Sequence, residues 1–269
     1  MASALGSPNL ILSPHFDDAV LSLGGFIAKS PDRAVVVTVF AGTPPDGTAG
    51  RWDRLSGFAS AAAAMRVRCA ENDAALAILG VSPDAIHNLG FLDRQYRVCE
   101  TPISALQSRI GERIRRLVQD HGGAVNLFAP ASAWHPDHRV VTDAAIDLVA
   151  AGMCPDTDVF LYQDQPYAYL ELRKRSLLPL KFADFSILTD VAERRKALVP
   201  RPQFLDLEEW NSAAKMHAIE KYASQFPFIR HFLCKMIRDF ARYQARAAGL
   251  TAHGVEVVYR LAPGSTDQS

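Results

Sequence analysis

The chain has 269 residues, enough for one large α/β domain or two small ones, and its 49% hydrophobic and 22% charged residues are those of an ordinary globular protein with a sizeable core. Lys plus Arg and Asp plus Glu stand at 29 each, so the formal net charge is zero and there is no global basic field to hold nucleic acid or an anionic membrane. The opening MASALGSPNLILSPHFDD has no basic region and only a short apolar run, so neither a secretory signal nor a membrane span is expected, and the cytoplasm is the default location.

In chain order, Asn9–Ser13 is a short apolar strand stopped by Pro14. Ala19–Lys29, with its Gly24-Gly25 pair, reads as a helix. Ala34–Phe40 (AVVVTVF) is β-branched and almost wholly apolar, as a strand covered on both faces is. Ala41–Gly57 holds Gly, Pro, Asp and Thr and reads as a long loop. Phe58–Leu79 is an Ala-rich helix with Gly80 suited to its C-cap. Strands are predicted at Ala85–Leu89, Val125–Ala129 and Val159–Gln163, and helices at Pro102–Asp120, with Pro102 near the first helical position, and at Val140–Ala151. This alternation implies right-handed crossovers and an α/β, Rossmann-like, mainly parallel twisted sheet with helices on both faces. Past residue 166 the pattern weakens. Leu170–Lys181 is rich in Leu, Arg and Lys, Ala183–Thr189 has strand character, Leu207–Tyr222 and Phe232–Ala247 read as helices, and Val255–Leu261 as a last strand. One domain is expected over residues 1–269, with a core at 9–165 and elements of 166–269 packed onto it.

The cysteines Cys69, Cys99, Cys154 and Cys234 form no CxxC pair, which argues against a zinc ribbon or a thioredoxin-type site, and all are read as free. No GxGxxG follows the first strand and no P-loop occurs, so a dinucleotide enzyme is disfavoured.

Two segments stand out. Pro14-His15-Phe16-Asp17-Asp18 lies between a predicted strand and a predicted helix. A helix start would explain one of its aspartates as an N-cap, but not His15 beside them. His135-Pro136-Asp137-His138 likewise follows a strand, and it too would serve as a helix entry capped by Asp137. Ligands of open α/β sheets gather at the carboxyl ends of the strands. If the two strands run side by side, three histidines and three aspartates share one crevice. A catalytic zinc takes three N, O or S ligands and keeps a position open for water. The first motif offers two ligands and a spare carboxylate, and either histidine of the second supplies the third.

PHFDD followed far downstream by HPDH resembles the LmbE-like or PIG-L family of zinc-dependent de-N-acetylases. Arg68-Cys-Ala-Glu71 leading to Leu79-Gly80, Asn88-Leu-Gly-Phe-Leu-Asp93, and Lys215 followed by Ala218-Ile219 and Ser224-Gln225 resemble further family segments, so the likeness runs from about residue 9 to 226. The chain departs from the family's habits at Phe16, often Pro, at Ala19, often Glu, and at Tyr222, where many members carry His. The resemblance implies one Zn2+ per chain, other divalent metals being compatible, held by His15, Asp18 and His138. It implies Asp17 as general base on a water at the metal, His135 as stabiliser of the oxyanion or proton donor to the leaving amine, and Asp137 as the group that orients His135 and favours its cation. The activity implied is hydrolysis of a linear amide, removing an N-acetyl or other acyl group from an amino sugar or glycoside, with no nucleic-acid partner.

Other residues carry weaker claims. Arg68 and Glu71 are spaced for a helical surface pair or for support of the site. Trp52, in the long loop, suits stacking on a sugar ring or anchoring the loop. Asp93, Arg94, Tyr96 and Arg97 form a polar loop whose arginines suit a substrate anion or plain solvation. Tyr222 and Gln225 are candidate substrate contacts, and Trp134 is read as packing. The competing functions are a metal-dependent phosphoesterase, which usually needs a second metal and more carboxylates, and a non-catalytic sugar-binding protein of the same fold.

Overall fold

A computed structural model describes residues 6–97, 102–132, 134–175, 198–226 and 229–263. Seven strands, β1 (Asn9–Ser13), β2 (Ala34–Thr38), β3 (Ile86–Asn88), β4 (Asn126–Ala131), β5 (Asp158–Gln163), β6 (Leu198–Leu207) and β7 (Gly254–Pro263), form one sheet in the order β3-β2-β1-β4-β5-β7-β6. The first five are parallel, with Ile11 registered against Val36 on one side and Phe128 on the other, while β7 runs antiparallel to both β5 and β6. The helices are α1 (Asp18–Lys29), α2 (Arg51–Leu55), α3 (Ala61–Ile78), α4 (Ile103–Asp120), α5 (Pro136–Ala150), α6 (Tyr167–Arg175), α7 (Glu209–Ile219) and α8 (Arg230–Ala247). The fold is the α/β sheet expected, parallel except at its carboxy-terminal strands.

Side chains of a strand alternate between faces, and both faces here are apolar. Leu10, Leu12, Val35 and Val37 pack with Ile110 and Ile114 of α4 and Val141 and Ala145 of α5. Ile11, Val36 and Phe128 pack on the other face with Leu21 and Ile27 of α1, Leu76 of α3, Ile219 of α7 and Ile237 of α8. Each such side chain taken from water contributes about 1.5–3 kcal/mol. No described helix is long and apolar enough to cross a membrane.

Four differences from the sequence reading have physical causes. The 41–57 segment is not all loop: α2 forms within it, its first turn held by Asp53, which accepts the N-cap Gly50 N–H at 2.7 Å. Helix α5 begins at Pro136, well before Val140, because proline at the first position and the His135 ring at the cap satisfy its free amides. Pro102 is the N-cap of α4 and not its first residue. Strand β6 was not anticipated, since Pro200 and Pro202 interrupt it; it lies at the sheet edge, where a missing N–H is tolerated. The predicted strand at Ala183–Thr189 and Cys99 lie outside the described residues. Cys69, Cys154 and Cys234 are free.

Candidate metal centre

The order 3-2-1-4-5 reverses direction between β1 and β4, the switch point at which open α/β sheets form their crevice. Both motifs leave the sheet there. Ser13, fully buried at the end of β1, donates to His15 O at 2.5 Å and accepts the Ala19 N–H at 2.9 Å, which folds Pro14–Asp18 into a tight turn. Asp18 accepts the His15 N–H at 2.7 Å. Asp17 stands at the N-cap position of α1 but its carboxylate makes no capping bond, so it remains available to the cavity. On the other strand, Thr142 Oγ1 lies 2.7 Å from Pro130 O and 2.9 Å from His138 O, tying the first turns of α5 to the end of β4.

These turns bring three ligand atoms together. His15 Nδ1 lies 3.2 Å from His138 Nε2 and 3.3 Å from Asp18 Oδ2, and His138 Nε2 lies 3.3 Å from the same oxygen. Zinc bonds of about 2.0–2.1 Å in tetrahedral geometry separate neighbouring ligand atoms by roughly 3.4 Å. The other ring nitrogens are already engaged: His138 Nδ1 faces Asp164 Oδ2 at 2.7 Å, and His15 Nε2 faces Asp137 Oδ2 at 3.3 Å. With protons on those outer nitrogens, three lone-pair donors point at one another. That arrangement is repulsive until a cation stands between them, so the donor set fits a divalent ion. The carboxylate-backed histidine is also the usual support for a metal-ligating imidazole.

The electrostatics agree. Burial by itself lowers the His15 pKa, but hydrogen bonds to Asp137 and Asp18 hold it well above the ordinary value. Burial likewise works against the His138 cation, yet Asp164 and Asp18 raise its pKa. Asp18 is held at about 2 against its own burial, by His138 and His15. The pocket is thus built for positive charge. Asp17 differs: burial first, and then the neighbouring Asp18, push it up to about 7.

His135 and Asp137 depart from the expected pairing. The Asp137 carboxylate does not touch the His135 ring; it faces His15, accepts the Arg94 N–H at 2.9 Å and pairs with Arg97 at 2.5 Å. The reason is the helix geometry, since His135 is the N-cap whose Nδ1 accepts the Asp137 N–H at 3.3 Å, and the side chain of Asp137 turns the other way. Burial and the adjacent His138 and His15 lower the His135 pKa to about 4, which works against the cation expected, and with Nδ1 accepting the Asp137 N–H a neutral ring carries its proton on Nε2.

A cavity of about 690 Å³ opens over these groups. His15, Asp17, Asp18, His135 and His138 line its floor, with Arg51, Trp52, Leu55, Arg68, Asp93, Arg94, Tyr167, Gln225 and Phe226 around it. Trp52 is 47% exposed at the mouth. Asp93 caps the turn at Arg94–Tyr96 and lies 3.9 Å from His15 Nε2. Gln225 is buried, and its Nε2 has no hydrogen-bond partner. Arg68 is not a surface partner of Glu71: buried on α3, it pairs at 2.8 Å with Asp53, which also accepts from Tyr96 Oη at 2.7 Å. Glu71 holds Ser224 instead, at 2.8 Å to its N–H and 2.6 Å to its hydroxyl. Tyr222 is fully buried and does not line the cavity; its hydroxyl lies 3.0 Å from Asn72 Oδ1 and 3.2 Å from Phe16 O. Arg97 is committed to Asp137 and to Leu92 O. Two residues not singled out from sequence belong to the site: Asp164, one residue past β5, and Tyr167, whose ring stands edge-on to His138 at 5.4 Å between centroids. The signal for Asp164 was available in kind, an acidic residue at a parallel strand's carboxyl end.

Residues 10–149 match the family model described as PIG-L, GlcNAc-PI de-N-acetylase. Solved structures resemble nearly the whole chain, among them the following three. A teicoplanin deacetylase in a zinc-inhibited form has a TM-score of 0.72 at 23% identity, covering 97% of this chain and 100% of its own. The pseudoaglycone deacetylase of an antimicrobial reagent has a TM-score of 0.73 at 24% identity, covering 97% and 99%. The N,N'-diacetylchitobiose deacetylase of Pyrococcus horikoshii has a TM-score of 0.61 at 22% identity, covering 96% and 84%. At these identities the likeness is one of fold. No curated protein matches the chain in sequence.

Proposed function

The chain belongs to the PIG-L de-N-acetylase family, and from that premise we propose that it hydrolyses the N-acetyl or other N-acyl group of an amino-sugar substrate at a zinc ion held by His15, Asp18 and His138. A divalent ion there supplies Lewis acidity, which makes water a nucleophile near neutral pH and polarises a carbonyl. The observation that carries the reading is the convergence of His15 Nδ1, Asp18 Oδ2 and His138 Nε2 to within 3.3 Å beside a spare carboxylate, Asp17, in one cavity.

In this reading Asp17 takes a proton from the attacking water as oxygen bonds to the acyl carbon. As the C–N bond breaks, Asp17 returns that proton to the departing nitrogen, which yields a carboxylic acid and a free amine. A neutral His135 donates from Nε2 to the oxyanion, the kind of contact worth about 3 kcal/mol in a transition state. Asp137 orients His15, not His135, and Asp164 does the same for His138. Trp52, Arg68, Asp93, Arg94 and Gln225 are proposed to shape the substrate site, Arg68 by fixing α2 and the others by contact; Tyr222 holds the wall behind it. A phosphoesterase would need a second metal, and the second group of possible ligands, His15, Asp93 and Asp137, shares His15 with the first and has Asp137 paired with Arg97. We also keep 1–269 as one domain and the cytoplasm as its location.

The test is acetate release from a panel of N-acetylated amino sugars by the zinc-loaded protein, run beside phosphate monoesters. Acetate without phosphate is expected. Phosphate release alone would overturn the assignment, and substrate binding without turnover would make the protein a sugar binder.

A further inference from the structure

Helix α1, which carries the Asp17-Asp18 pair at its start, is broken in the middle: Leu23 has φ −122° and ψ 17°. In an uninterrupted helix the Phe26 N–H would bond to Ser22 O. Here Phe26 N–H and Gly25 N–H donate to the Glu256 carboxylate at 2.7 and 2.9 Å, and Ser22 O accepts from Lys215 Nζ at 3.2 Å. Lys215 and Glu256 pair with each other at 2.6 Å, both buried. An ion pair from α7 and β7 is therefore spliced into the hydrogen-bond ladder of α1. The sequence makes room for it. A Cβ at Gly24 would stand 2.8 Å from Lys215 Cγ, and one at Gly25 would stand 2.6 Å from Leu207 Cδ2 and 3.2 Å from Glu256 Oε1.

The break leads toward the metal centre. Ser22 Oγ accepts the Gln165 N–H at 3.1 Å, and the residue before Gln165 is Asp164, which holds His138 Nδ1. We propose that Lys215 and Glu256 are positioning residues for the metal centre: by fixing α1 at its break they set Ser22, which holds the Gln165 amide and so aims Asp164 at His138. Both charged residues lie beyond the stretch that matches the family model. The inference rests on the metal reading given above.

Each single replacement of the pair strands a buried charge, so the neutral combination Lys215→Met with Glu256→Gln carries the test, together with Ser22→Ala, which leaves the pair intact. Zn2+ affinity is read by competition with a chromophoric chelator, and folding by urea unfolding of the same full-length proteins. Both variants are expected to unfold cooperatively and to bind Zn2+ about 10-fold more weakly than wild type, the low end for groups behind a ligand. Ser22→Thr, which keeps the hydroxyl, restores affinity. Leu233→Ala, which empties part of the core on α8, lowers stability and leaves Zn2+ affinity unchanged. Wild-type affinity in both Ser22→Ala and the double variant overturns the proposal, as does a loss in Leu233→Ala of the same size. Tight Zn2+ binding by the wild type without acetate release defeats the deacetylase reading alone, whereas no Zn2+ binding by the wild type defeats both.

Discussion

Asp17 sits beside three convergent ligand atoms without joining them, and its neighbour Asp18 makes it costly for both carboxylates to be charged while the site holds no cation. Asp17→Asn removes the proton acceptor and leaves the ligands intact. Turnover is expected to fall by about 10²–10⁴-fold, the usual worth of a positioned general base, with Zn2+ content unchanged by metal analysis. Near-wild-type turnover would remove Asp17 from its role. Asp164 is a different case. Asp164→Asn keeps the shape of the His138 contact and weakens the charge behind it, so Zn2+ affinity is expected to fall by roughly 10–100-fold; an unchanged chelator competition curve would show that His138 needs no such support. The meeting of the two motifs was legible from residue types and their places after strands, whereas the choice of Asp18 over Asp17 and of His138 over His135 rested on the family resemblance. Asp164 was not, because an isolated acid after a strand gains meaning only when β5 is known to lie beside β4. The pairing of Asp137 with His135 was implied by the resemblance; in the structure Asp137 faces His15 and Arg97, since residues two apart at a helix start do not face each other.

At the scale of elements, α2 converts a segment that reads as loop into a fixed wall of the cavity. Its anchor is Asp53, wholly buried, which meets Arg68, Tyr96 and the Gly50 amide at once. Asp53→Ala leaves Arg68 as an unpaired buried charge, and a loss of about 3–5 kcal/mol in urea unfolding is expected. A loss below 1 kcal/mol, roughly what a surface pair is worth, would mean the network is not holding the wall. Trp52 rides on this helix and is half exposed at the mouth. Trp52→Ala is therefore expected to keep stability within about 0.5 kcal/mol, as exposed substitutions do, and to raise KM for an N-acetylated sugar with little change in kcat. A fall in kcat with KM constant would place the indole against the reacting group and not against the rest of the substrate. A sugar-stacking role for Trp52 was readable in advance; the anchoring role of Asp53 was not. The bond from the Gly50 N–H to Asp53 needs the two recognised as a pair, and the Arg68–Asp53 contact joins residues on separate elements.

For the molecule as a whole, the parallel block β1–β5 was legible because β1, β2, β4 and β5 carry apolar residues on both faces and each connection contains a helix of adequate length, which leaves few topologies. The carboxy-terminal third was less so: β6 carries two prolines, and its pairing with β7 depends on a partner some fifty residues away. Yet that third lines the cavity with Gln225 and Phe226, and its Lys215–Glu256 pair holds the helix that begins at the metal centre. A metal that binds only the folded chain should therefore add to its global stability. A ligand present at about 1,000 times its dissociation constant stabilises the native state by roughly 4 kcal/mol. In a chain of this size each kcal/mol shifts Tm by about 2–4 °C, so Zn2+ added to chelator-stripped protein is expected to raise Tm by about 10 °C. The increment should vanish in His138→Ala, which deletes one of the three converging atoms. If stripped wild type and His138→Ala gained the same increment, the ion would be binding elsewhere, and the convergence of the two strand ends would need another explanation.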